Sequence, residues 1–504
     1  MMSRVLQAIA DTAKSHPDRL ALSDGAACDI TYAALQHETE YVAGMLKRKN
    51  PKALGLLMDN TPAWVISDLA AVHAEIPCVP LPLFFSPQQV AHLISTAGIE
   101  MILTDQPEPL RAMLAGIGTE LVDETQINIA HRQISLLQLP AAPVGLIPSG
   151  VAKITFTSGT TGDPKGVCLS QQAMETVAVS LQKACQAEAN DRHLCALPLA
   201  TLLENIGGAY VPLMAGAVCV LPGLAAVGLK GSSGLDPAAF LRALVGYDIA
   251  TCILIPQMLL ALVSAVHASG QRPERLRYIA VGGAPVSLQQ LQQAKALGLP
   301  VFEGYGLSEA GSVVAVNAPG AVQAGSVGKP LPHVALQFSE DGEILVKGAL
   351  FSVYLGQPAS VPGEGYYATG DIGHLDEHGF LHITGRKKHI FITAFGRNVS
   401  PEWVERELTI QPAIAQAMVL GEAQPFNVAI LSARNGMDEK HVQQCVEAAN
   451  AQLPDYARVS RWLLADQPFS VANGLFTATG RPRREAIMKV YGERIKSIYG
   501  EQDE

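Results

Sequence analysis

Short runs rich in Val, Ile and Leu recur between helical patterns, at 53–58, 101–104, 217–221, 251–255 and 278–281. Runs that are apolar on both faces read as parallel strands covered by helices on each side, because a strand with one wet face alternates instead. The pattern therefore predicts an α/β fold whose large N-terminal domain is built of stacked, mostly parallel sheets. From about Val334 the texture changes to short alternating strands, ALQFSEDGEILVKG and IGHLDEHGFLHITG, in which SEDGE and DEHG are turn signals. These predict a β-rich subdomain. Beyond Gly385 a compact, mobile α+β unit is expected, with a helix from Pro401 and another in KHVQQCVEAANAQL. The domains are accordingly drawn at 1–385 and 386–504, with a hinge at Arg386 to Lys388.

The 504 residues carry 48% hydrophobic and only 16% charged side chains, which excludes a disordered chain and leaves enough apolar matter for several cores. A net charge of −10 offers no general attraction to nucleic acid or an anionic membrane, so any phosphate must be held by local groups. No nucleic-acid partner is expected. The eight cysteines form no CxxC pair and read as reduced, buried, small apolar residues. Asp11 and Lys14 interrupt what a signal peptide would need as an apolar core, so the first residues read as an amphipathic helix and the location as cytoplasmic. No charge falls between Glu204 and Lys230, a length that could cross a bilayer. Pro212, Pro222 and five glycines divide it into a helix, a turn and a strand, so no transmembrane segment is expected, and a peripheral membrane contact stays open.

The segment ITFTSGTTGDPKGVCLS, 154–170, concentrates the chemistry. A β-like run enters a loop with three glycines, the hydroxyls of Ser158, Thr160 and Thr161, and Lys165, before a helical pattern from Gln171. Glycines such as Gly159 and Gly162 let backbone N–H groups approach an anion, hydroxyls add donors, and the lysine adds a point charge. This is a phosphate cradle. It is not a Walker A loop, since Lys165 is followed by Gly166 and the glycine spacing is wrong.

TSGTTGDPKG resembles the signature of the adenylate-forming superfamily: acyl-CoA synthetases, luciferases and peptide-synthetase adenylation domains. Tyr305-Gly306-Leu307-Ser308-Glu309 is similar to its YGxTE segment, Tyr367-Ala368-Thr369-Gly370-Asp371 to its YxTGD segment, and Gly385-Arg386-Lys387-Lys388 to the start of its hinge, all in the family's order. The resemblance implies that ATP lies in the cradle from Thr157 to Lys165, with Gly282, Gly283, Ala284 and Pro285 lining the adenine pocket and Tyr305 stacking on the base. It implies Mg²⁺ at Glu309 and Thr157, hydrogen bonds from the ribose to Asp371, and Arg386 reaching ribose or phosphate. Lys388 would be the pivot of the small domain, and Gly396 part of the loop that meets the acceptor thiol, on CoA or on the phosphopantetheine of an acyl carrier protein.

Leu197-Pro198-Leu199-Ala200-Thr201-Leu202-Leu203-Glu204 is similar to the PLAHxxE segment of the medium- and long-chain synthetases, with Thr201 where His is usual and Glu204 matching. The resemblance thus implies activation of a carboxylic acid, a medium- or long-chain fatty acid by this segment. One departure stands out. In TATGRPRR, Arg481 occupies the position of the family's adenylation lysine; its fork keeps the charge but is wider than an ammonium. Three readings of Arg481 stay open: it performs adenylation, a neighbour takes the task over, or it marks a relative that binds adenylates in a regulatory role. A member with another second step, such as lactone closure, also stays open. A serine-hydrolase reading fails, because around Ser308 the spacing is one residue too long for GxSxG. The sequence leaves the oligomeric state undetermined.

Overall fold

A computed structural model describes residues 3–141, 147–157, 164–230, 234–357, 365–434, 437–470, 472–476 and 482–500. Two large sheets dominate. In the first, eight strands centre on three parallel ones, Cys78–Pro80, Leu54–Leu57 and Met101–Thr104, with the hairpin Val151–Thr157 and Lys165–Ser170 on one flank. In the second, nine strands include a parallel run from Val301–Tyr305 through Tyr278–Val281, Thr251–Leu254, Arg192–Leu194 and Val218–Val220 to Leu20–Ser23. The strands expected at 101–104 and 278–281 have those limits, and the other three are shorter by one or two terminal residues.

Both sheets share one apolar core. Leu54, Leu56 and Leu103 of the first sheet and Cys219 and Leu221 at the second belong to the same buried cluster as Trp64, Val65 and Leu69. Those last residues lie on the helix Pro62–Ala74, in which every position from Pro62 to Val72 is buried, as a helix held between two sheets must be. Thr61 starts it by accepting the Trp64 N–H at 3.3 Å, and Pro62 fits the first turn, where its missing N–H has no partner to lose.

The alternating segments form a four-stranded antiparallel sheet, Ala335–Phe338, Glu343–Lys347, Tyr367–Leu375 and Leu381–Arg386, with the expected turns at 339–342 and 376–380. The last region holds the helices Pro401–Thr409, Glu439–Asn450 and Arg484–Gly500 around a three-stranded sheet. All eight cysteines are free.

The uncharged stretch after Glu204 breaks up as expected, with one addition: between the helical turns Leu202–Glu204 and Val211–Met214, residues Asn205–Tyr210 form a π-helix. Gly216 turns the chain at φ +75° into Val218–Val220. Among the described residues, no helix is long and apolar enough to cross a membrane.

Candidate active site

Three of the expected site residues meet at the end of the second sheet. Tyr305 closes the strand Val301–Tyr305, while Asp371 and Arg386 face each other across the Tyr367–Leu375 and Leu381–Arg386 pair. The Tyr305 hydroxyl donates to Asp371 Oδ2 at 2.7 Å, and Arg386 Nε lies 2.7 Å from Asp371 Oδ1. Burial, helped by the adjacent Asp371 carboxylate, holds the Tyr305 phenol well above its ordinary pKa, so it remains a donor. The Asp371 backbone is fixed by its own N–H, donated to Thr369 Oγ1 at 3.1 Å.

The loop Gly282–Pro285 emerges from the strand Tyr278–Val281 beside Tyr305. A Cβ at Gly282 would sit 3.2 Å from the Gly304 carbonyl oxygen, and Gly283 holds φ +80°, so both positions favour glycine. Gly283, Ala284 and Pro285 are exposed. At Gly306 a Cβ would come within 1.8 Å of the Ser312 carbonyl oxygen, which packs the turn before the short helix Ser308–Ala310.

Glu309 lies on that short helix. Its Oε1 accepts the Tyr354 hydroxyl at 2.7 Å, and Tyr354 and Tyr367 share a hydroxyl contact of 3.0 Å. Among the described residues Glu309 Oε2 takes no hydrogen bond, and a carboxylate oxygen so placed suits a hard cation. Lys165 Nζ lies 5.6 Å from the centre of the Tyr354 ring, so one side chain carries the lysine over its ring and Glu309 at its hydroxyl. Lys165 in turn is the register partner of Thr157 across the hairpin, so the cradle is closed at its base by this pair. Ser158, Gly159, Thr160, Thr161 and Gly162 lie outside the described residues, as does Arg481.

On the acyl side, Thr201 Oγ1 donates to the Pro198 carbonyl at 2.7 Å in a tight turn. Glu204 is fully buried; its Oε2 accepts the Leu197 N–H at 3.3 Å and its Oε1 lies 3.3 Å from His193 Nε2. Burial raises its carboxyl pKa. Sequence reasoning missed Asn60, whose Nδ2 donates to the carbonyls of Cys195 and Leu197 at 2.9 and 2.7 Å and whose Oδ1 accepts the Leu199 N–H at 2.9 Å. It also missed Tyr354 and Glu343. Glu343 accepts the Gly370 N–H at 3.0 Å and pairs with Lys387 Nζ at 2.8 Å, tying the YxTGD turn to the 386–388 segment. Asn60 and Tyr354 lie in no motif and Glu343 only ends the SEDGE turn signal, and single residues whose partners are remote in sequence leave no local pattern.

Lys388 is exposed in the turn after Arg386, which is closed by the N–H groups of His389 and Ile390 on the Arg386 carbonyl. Gly396 lies at the tip of the hairpin Phe391–Ile392 and Asn398–Val399 with φ +72°. Its neighbour Phe395 is 74% exposed, a large apolar side chain left beside the tip.

A family model described as AMP-binding enzyme matches residues 9–356, and one described as AMP-binding enzyme C-terminal domain matches 388–503. A long-chain-fatty-acid–CoA ligase, FadD15, of Mycobacterium bovis is 27% identical over 87% of this chain and 86% of its own length. A 2-succinylbenzoate–CoA ligase of Bacillus licheniformis is 30% identical over 80% of this chain and 84% of its own. Among solved structures, the anthranilate CoA ligase AuaEII in complex with anthranoyl-AMP aligns with a TM-score of 0.79 at 18% identity, covering 97% of both chains. The o-succinylbenzoate CoA synthetase MenE of Bacillus subtilis aligns with a TM-score of 0.74 at 23% identity, over 96% of this chain and 98% of that one.

Proposed function

Because the chain belongs to the AMP-binding enzyme family, we propose that it is an acid–thiol ligase that activates a carboxylic acid with ATP and passes the acyl group to CoA. The observation that carries this reading is the Tyr305, Asp371 and Arg386 constellation, a buried carboxylate flanked by an aromatic donor and a guanidinium, which suits a nucleoside's base and diol together. The ligases of M. bovis and B. licheniformis support the reaction class and differ in their acids.

In the first step a carboxylate oxygen of the acid attacks the α-phosphorus of ATP, and pyrophosphate leaves, giving an acyl-adenylate. Lys165 and the Thr157–Thr161 hydroxyls would hold the phosphates, and Asp371 would fix the ribose so that the phosphorus meets the acid in line. Glu309, with Thr157, would hold Mg²⁺, which when bound neutralises charge on the triphosphate. In the second step the CoA thiol attacks the acyl carbon, the thiol proton leaves to solvent, and AMP departs. No protein nucleophile is required. Residues 386–504 would serve as a lid, with Lys388 as pivot and Gly396 entering the site for the second step.

The acid is proposed to be a medium- or long-chain fatty acid, supported by the small and apolar run 206–214 and by the M. bovis relative. The test is ATP–pyrophosphate exchange across fatty, aryl and amino acids, followed by CoA-dependent AMP release. Fatty acids alone should support both. Exchange with aryl acids alone would overturn the substrate assignment. A second reading, motivated by Arg481, is an adenylate-binding relative with a regulatory role; ATP binding without exchange for any acid, restored by Arg481→Lys, would establish it in place of the ligase.

A further inference from the structure

Outside the nucleotide site, a second group of polar side chains converges in the middle of the second sheet. His193 projects from the strand Arg192–Leu194, Cys195 follows it, and Glu204 reaches back from the turn before the π-helix. They are 4%, 1% and 0% exposed, and one donor atom of each lies within 4.8 Å of the other two. The geometry points to a structural site for a borderline-soft divalent cation of the zinc class, bound by His193 Nε2, Glu204 Oε1, Cys195 Sγ and the Gly208 carbonyl oxygen.

Two pairs of donor atoms stand at the spacing of tetrahedron vertices. Bonds of about 2.0–2.3 Å place the vertices of a zinc tetrahedron roughly 3.3–3.6 Å apart. His193 Nε2 and Glu204 Oε1 are 3.3 Å apart, and Cys195 Sγ and Gly208 O are 3.4 Å apart. The Gly208 carbonyl oxygen already faces the cluster, where the Cys195 thiol donates to it. Gly208 is also required as glycine, since a Cβ there would lie 2.3 Å from Glu204 Oε1 and 2.9 Å from His193 Nε2.

The surroundings orient the ligands as metal sites do. His193 Nδ1 contacts Thr251 Oγ1 at 2.9 Å, which leaves Nε2 to face the cluster. Glu204 Oε2 accepts the Leu197 N–H, which turns Oε1 inward. Charge suits the same occupant: a thiolate and a carboxylate together neutralise a dication, and the thiol proton leaves when the metal binds. Magnesium is excluded by the donor set, since it prefers an octahedron of oxygens over thiolate and imidazole. Such an ion would rivet the π-helix to the sheet, independently of the nucleotide chemistry.

The experiment is metal analysis of the full-length protein expressed in zinc-supplemented and in cobalt-supplemented medium. The parent should carry about one zinc per chain, and the cobalt form should show a thiolate-to-metal charge-transfer band with the strong visible bands of a tetrahedral site. Cys195→Ser and His193→Ala should each lower the metal content by about tenfold or more, and Cys195→Ser should abolish the charge-transfer band. Cys219→Ser, a neighbouring buried thiol outside the set, should keep both. Less than about a tenth of an equivalent of zinc in the parent would overturn the proposal. So would a Cys195→Ser protein that retains the parent's metal or band, and the cluster would then be a hydrogen-bonded His–Glu pair. Should the variants fail to fold, the zinc content and cobalt spectrum of the parent decide the matter.

Discussion

Asp371 holds two partners at once, and its removal separates positioning of the nucleotide from the rest of the reaction. Asp371→Asn keeps the shape but loses the charge that draws Arg386 Nε to 2.7 Å. A charge-assisted hydrogen bond is worth about 1.5–3 kcal/mol, so KM for ATP should rise roughly ten- to a hundredfold while KM for CoA stays near its parent value, by steady-state assay of AMP release. An equal rise in both constants would remove Asp371 from the nucleotide site. At this scale the sequence was most informative where residues sit in consecutive motifs. Tyr305, Glu309, Asp371 and Arg386 could each be singled out because they sit in segments that resemble the motifs of the adenylate-forming superfamily. Asn60 and Tyr354 could not, because an amide that bridges three backbone groups 135 to 139 residues away, or a phenol that reaches Glu309, has no local signature.

Among elements, the strand entering the phosphate loop and the π-helix beside the acyl segment are joined by a buried charge. Lys153, on Val151–Thr157, lies 2.6 Å from Asp68 Oδ1 with both side chains 1% exposed, and it also donates to Asn205 Oδ1. Asp68 Oδ2 accepts from Asn205 Nδ2 at 3.0 Å and from the Tyr210 hydroxyl at 2.8 Å. The first and last residues of the π-helix thus close on one carboxylate. Lys153→Ala would leave Asp68 charged and uncompensated in the core, a loss of about 3–5 kcal/mol. Asp68→Leu combined with Lys153→Met should recover most of it, measured as midpoints of thermal unfolding. If the double variant is no better than Lys153→Ala, the pair does not act as a unit. Strands of this kind were legible in the sequence because their apolar runs are continuous. The π-helix was not, because Gly207, Gly208 and Pro212 announce only a weak helix, and its register is set by partners on Pro62–Ala74 and Val151–Thr157.

Over the whole molecule, the two regions on either side of residue 386 are linked electrostatically through a titratable group next to the site. Glu303 lies two residues before Tyr305, and burial lifts its carboxyl to about 7, opposed by the positive charge of Arg406 on the helix Pro401–Thr409. Its folded pKa lies above the ordinary carboxylate value, so the folded state binds the extra proton. The associated stability is complete below about 4.5 and is lost as pH rises through about 7. The difference amounts to roughly 3 kcal/mol by the relation between pKa shift and free energy. The thermal midpoint should therefore fall between pH 5 and about 8, and Glu303→Gln should flatten that fall and raise the midpoint at the alkaline end. Arg406→Ala removes the opposing charge, so the fall should continue to higher pH than in the parent. An Arg406→Ala profile superimposable on the parent's would break the electrostatic link between Glu303 and the helix Pro401–Thr409.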